Sequence, residues 1–123
     1  MLFRSVVLEQ TNARHLTAEQ IPEPIDIIVC DASFIALSKV LEKAVDFVRP
    51  GGHALLLVKP QFEAGRAEVG KGGVVRDEAV HARVVAAAEQ WIASRGWRVL
   101  GTTRSPITGP EGNVEFLLAA LKE

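Results

Sequence analysis

The chain has 123 residues, enough for one domain and not two, with 48% hydrophobic residues and a formal net charge of -1. That composition excludes a disordered segment, and the charge excludes a global positive field for nucleic acid, so any RNA or DNA site must be a local patch. A single cysteine, Cys30, excludes an internal disulfide, and no apolar run reaches the roughly 20 residues of a membrane helix. The start, residues 1–5, lacks a basic region followed by an apolar core, so no signal peptide is expected and the chain reads as soluble and cytoplasmic.

In chain order, Val6-Val7-Leu8 reads as a short strand, followed by a turn over Asn12 to Leu16. Pro22 and Pro24 forbid a regular helix before the next element. Asp26 to Asp31 is nearly continuous in Ile and Val, the pattern of a strand covered on both faces. Leu37, Val40, Leu41, Ala44 and Val48 then repeat at helical spacing, with Ser33 as an N-cap and Pro50-Gly51-Gly52 as the stop. Ala54 to Val58 is a second buried strand, which completes a βαβ unit.

Pro60 to Arg76 reads as a long loop with glycines at 65, 70, 72 and 73, and loops of that length in compact domains tend to bind or cover something. Asp77 caps a second helix whose inner stripe is Val80, Val84, Val85, Ala88, Trp91 and Ile92, and Gly96 closes it. Trp97 to Leu100 is a strand, Ser105 to Asn113 a loop, and Val114 to Leu121 the last strand. The absence of a helix between these two strands makes them antiparallel neighbours. The class is α/β, a partial Rossmann-like sheet, mostly parallel with the last strand antiparallel, and flanking helices.

Ligands of such sheets sit beyond the carboxyl ends of the strands. Asp31 and Lys59 end two apolar runs, and Glu115 begins an antiparallel one, so three charged groups are expected at one rim. Taken singly, each has an ordinary structural explanation: Asp31 a helix cap, Lys59 a lysine with its stem on apolar surface, Glu115 an exposed strand start.

Other motifs fail their own requirements. Residues 65–72 approach a phosphate-binding loop, but Gly72 stands where a Ser or Thr must ligate magnesium. Ser33, Ser105, His15, His53 and His81 supply no nucleophile elbow, with His81 expected on a solvated helix face and His53 at a sheet edge. No metal-ligand spacing occurs. Arg66, Lys71 and Arg76 form a local basic patch suited to RNA phosphates.

Four stretches together resemble a known family: residues 30–35 (CDASFI), 59–63 (KPQFE), 70–76 (GKGGVVR) and 105–116 (SPITGPEGNVEF). They are similar to the TlyA (haemolysin A) family of FtsJ-like ribosomal RNA 2′-O-methyltransferases. The resemblance runs from about Glu9 onward. It implies S-adenosylmethionine as cofactor, ribosomal RNA or ribosomal subunits as partner, and a Lys-Asp-Lys-Glu tetrad of which Asp31, Lys59 and Glu115 match three members. It also implies a cofactor site bordered by Asn12, Asp31, Ala32, Ser33 and Phe34.

The family's glycine-rich cofactor loop, first tetrad lysine and small RNA-binding domain have no counterpart in these residues. Residues 1–123 therefore read as one methyltransferase domain, incomplete on its N-terminal side. The Asp26–Asp31 strand is then expected to keep an open edge that recruits a second copy. Two further readings stand beside this one: a haemolysin-type lytic protein, and a non-catalytic fragment that binds RNA or a partner.

Overall fold

The computed structural model describes residues 7–32 and 35–123. It holds one four-stranded sheet built from β1 (Ile25–Cys30), β2 (Val48–Val58), β3 (Trp97–Arg104) and β4 (Phe116–Lys122), in the order β1-β2-β4-β3. β1 and β2 are parallel, and β4 runs antiparallel to both its neighbours, β2 and β3. Three strands therefore share one direction and the last opposes them, as the sequence pattern predicts. The carboxyl ends of β1, β2 and β3 and the start of β4 fall on one rim.

One face of the sheet is a packed core. Helix α3 (Glu78–Ser94) lays Val80, Val84, Ala88 and Ile92 against Leu56, Val58, Leu118 and Ala120. Each of these strand residues is buried, and truncating one such as Leu56 to Ala costs about 2–5 kcal/mol. Asp77 caps α3 by accepting from Ala79 N at 2.8 Å. Gly96, at φ +86, takes the left-handed position that ends it.

The opposite face is bare among the described residues. Ile27 and Val29 of β1 are 59% and 69% exposed, and Leu55 and Leu100 are 42% and 52% exposed. The expectation of a strand covered on both faces is therefore corrected. The Ile and Val run is right for a two-sided strand, but the helices here lie on one side only. β1 also forms one edge of the sheet. His53, expected at an edge, lies on an inner strand between Ile27 and Leu121 and is exposed on this open face.

Other expectations change in detail. The helix read over Leu37 to Val48 is a four-residue α1 (Leu37–Val40) followed by a 3-10 turn, Ala44–Phe47. Val48 pairs with Ile25 in the sheet, which takes the last residue of the apolar stripe out of the helix. Pro50-Gly51-Gly52 lies within β2 and does not end a helix. The loop after Lys59 is not structureless: α2 (Pro60–Glu63) and two 3-10 turns, Arg66–Glu68 and Lys71–Gly73, subdivide it. Val7 and Leu8 are exposed and in no strand, and Val6 lies outside the described residues.

Candidate functional site

Lys59 follows β2 directly and Glu115 precedes β4 directly, and Val58 pairs with Phe116, so register alone brings the two to adjacent strand ends. Lys59 is 9% exposed and Glu115 6% exposed. Asp31, one residue beyond β1, forms an ion pair with Lys59 Nζ, and its own side chain is 71% exposed. The three charged residues singled out from the sequence therefore share the rim. The pair is asymmetric: a buried ammonium reaches toward an exposed carboxylate, so Asp31 keeps contact with solvent while it offsets the cost of burying the lysine.

Glu115 is held by two residues the sequence reading did not select. Gln61 Nε2 donates to Glu115 Oε2 at 2.8 Å. Gly109 lies so close to the Glu115 carboxyl that a Cβ at that position would overlap it. Gln61 Oε1 is buried and has no hydrogen-bond partner among the described residues. Gln61 belongs to the 59–63 stretch and Gly109 to the 105–116 stretch, so both were inside the resembling motifs. Pro60 at the first helical position fixes the turn that brings Gln61 back over the strand end.

Glu63 closes the same turn. Its Oε1 accepts from Leu37 N at 2.7 Å, supplying the cap that Ala36 cannot. Burial pushes the Glu63 carboxyl up from its ordinary 4.5, opposed by that bond. Burial, and then the Asp31 charge, push the Cys30 thiol up from its ordinary 9.0, with Lys59 and the Ala32 backbone acting the other way.

The remaining candidates divide. Ala32 is half-buried beside Asp31, whereas Ser33 and Phe34 lie outside the described residues. Asn12 is exposed, and its side chain accepts from Arg14 N at 3.0 Å, capping the turn Ala13–His15. Arg66, Lys71 and Arg76 are exposed. Arg76 Nη1 donates to Lys71 O at 3.4 Å, which joins those two, while Arg66 sits on a separate turn. His81 is corrected: it is 8% exposed and Nε2 lies 2.7 Å from Val75 O. A cleft of about 470 Å³ lies between α3 and strands β3 and β4, lined by Glu78, His81, Arg104 and Phe116, and none of Asp31, Lys59 and Glu115 lines it. No group of acidic, His or Cys ligands that could hold a metal occurs among the described residues.

Comparison with known proteins decides the family. A model of the FtsJ-like methyltransferases matches residues 2–122. The chain belongs to the FtsJ-like methyltransferase family. It is 47% identical over 115 residues to the 16S/23S rRNA (cytidine-2′-O)-methyltransferase TlyA of Mycobacterium tuberculosis, covering 94% of this chain and 43% of that protein. It is 44% identical over 116 residues to YqxC of Bacillus subtilis, named as a candidate rRNA methyltransferase, covering 94% of this chain and 41% of that one. A solved Lactococcus lactis structure, named as a candidate hemolysin, superposes with a TM-score of 0.90 at 39% identity, over 96% of this chain and 57% of that one. The chain thus spans less than half the length of the curated relatives it matches. No helix among the described residues is long and apolar enough to cross a membrane.

Proposed function

We propose that this chain is the part of an S-adenosylmethionine-dependent ribosomal RNA 2′-O-methyltransferase that carries Asp31, Lys59 and Glu115. One observation carries the reading: Lys59 lies buried at a strand end, ion-paired to Asp31, with Glu115 at the adjacent strand end. The TlyA relative, named for cytidine 2′-O-methylation, gives the substrate class.

The chemistry follows from a weak nucleophile. A ribose hydroxyl must lose its proton, here to solvent at the exposed rim, as its oxygen bonds to the methyl carbon and the carbon–sulfur bond breaks. The cofactor, when bound, supplies a methyl group on a positively charged sulfur. Lys59 orients the hydroxyl and stabilises the negative charge that builds on its oxygen. Asp31 and Glu115 hold the ammonium in place and balance its charge. The residues present fit one side of such a site. Asp31 offers an exposed carboxylate, with Ala32 beside it, and the buried Gln61 Oε1 is an acceptor that no described residue donates to. The family resemblance adds Asn12, Ser33 and Phe34 to the proposed cofactor border. Arg66, Lys71 and Arg76 contact RNA phosphates. The chain spans 43% of the TlyA relative, and the bare sheet face and the open β1 edge are surfaces against which the rest of such a protein would pack.

Calorimetric titration of S-adenosylmethionine, followed by methyl transfer to ribosomal subunits, tests the reading. Transfer that Lys59→Met abolishes is the expected result. Transfer that persists in Lys59→Met overturns the assignment of Lys59. The open edge of β1 further supports a homodimer through strand pairing, and sedimentation showing a monomer at high concentration counts against it.

A further inference from the structure

The glycine-rich segment 70–76 and the 105–115 loop are far apart in sequence, yet a buried side chain of the second bonds to the backbone of the first. Asn113 is 3% exposed. Its Oδ1 accepts from Val75 N at 3.0 Å, and its Nδ2 donates to Gly73 O at 3.0 Å. Its backbone oxygen accepts from Gly109 N at 2.7 Å, inside the turn that packs on the Glu115 carboxyl. Two residues on, the Glu115 backbone oxygen accepts from Ser105 N at 2.8 Å. On the other arm the Val75 oxygen is taken by His81 of α3 at 2.7 Å. Val75 is therefore held on both sides, its N–H by Asn113 and its carbonyl by His81 of α3.

A buried amide with donor and acceptor both used on backbone fixes two segments against each other, because losing either bond leaves a polar group unpaired away from water. We propose that Asn113 is a positioning residue that couples the glycine-rich loop, with its exposed Lys71 and Arg76, to the placement of Glu115. The inference rests on the reading above for what Glu115 does. Contact of a polyanion with Lys71 and Arg76 then bears on Glu115 through Asn113, and the loop's own geometry sets where the carboxylate lies.

The test needs neither cofactor nor RNA, so its outcome stands apart from that of the methyl-transfer assay. Gly73 sits at φ +77 with open space around its Cβ position, so Gly73→Ala strains the loop backbone without a clash. Nuclear magnetic resonance on the full chain follows the Glu115 backbone and the Gln61 side-chain amide. Gly73→Ala is expected to shift both in the wild type and to lose that effect in Asn113→Ser. Asn113→Asp keeps the bond from Val75 N, drops the one to Gly73 O, and serves where the serine variant does not fold, with the α3 amides reporting a folded chain. A reduced response is expected there. No response in the wild type, or an equal one in the variants, overturns the coupling. A coupling that holds while methyl transfer persists in Lys59→Met overturns the functional reading alone.

Discussion

Gln61 holds the Glu115 carboxylate at 2.8 Å, so the residue two places past Lys59 fixes the charged group at the start of the neighbouring strand. A hydrogen bond to a charged group is worth about 1.5–3 kcal/mol, and its loss leaves the carboxylate free to turn. Gln61→Leu is expected to lower thermal stability and to cut methyl transfer more than it weakens RNA binding. Equal losses in rate and in RNA affinity contradict a positioning role.

Gly109 has no room for a side chain. A methyl group there meets the Glu115 carboxyl, so either the loop or the carboxylate must shift. Gly109→Ala is expected to cost about 1–3 kcal/mol by overpacking. Chemical denaturation measures it, and a change within about 0.5 kcal/mol, the range of ordinary surface substitutions, refutes the close packing.

The Cys30 thiol reports the electrostatics of the rim. Its pKa is raised first by burial and then by Asp31, and lowered by Lys59. Alkylation by iodoacetamide as a function of pH is expected to reach half its limiting rate above pH 9.0, the thiol's ordinary value. Asp31→Asn moves that midpoint down and Lys59→Met moves it up. Shifts of the opposite sign would place the two charges elsewhere.

Glu63 gives the fold a pH dependence of known sign. Its carboxyl holds a proton to higher pH in the folded chain than in the unfolded one, so the folded state binds more protons and this group's contribution falls as pH rises above 4.5. Glu63→Gln keeps an oxygen for Leu37 N and removes the titration. The stability difference between variant and wild type is therefore expected to grow in the variant's favour from pH 4.5 to 7.5. Glu63→Ala also removes the titration but loses the cap, and is expected to be about 1 kcal/mol less stable than Glu63→Gln at both pH values. Denaturation at the two pH values separates these outcomes.

The strand ends were legible because an apolar run that stops at a charge marks a strand reaching a rim. Asp31 and Lys59 show that directly, and Glu115 followed once the last strand was read as antiparallel. The α3 stripe and its caps were legible for the same local reason. What stayed hidden depends on contacts between distant segments. The bond from Gln61 to Glu115 spans 54 positions, and that from Val75 to Asn113 spans 38, and no periodicity encodes either. His81 looked solvated because its burial comes from the loop carbonyl folded over it. The Leu37–Val48 stripe was read as one helix because a sheet that claims Val48 leaves the same apolar spacing.

The strand order holds a lesson about synthesis. β4 is the last strand in the sequence, yet it lies inside the sheet, between β2 and β3. While a ribosome is still making residues 116–122, β3 has no neighbour to join and the apolar side of β2 lacks its partner. Until β4 emerges, the nascent chain carries both of these strands unpaired on the sides that β4 takes.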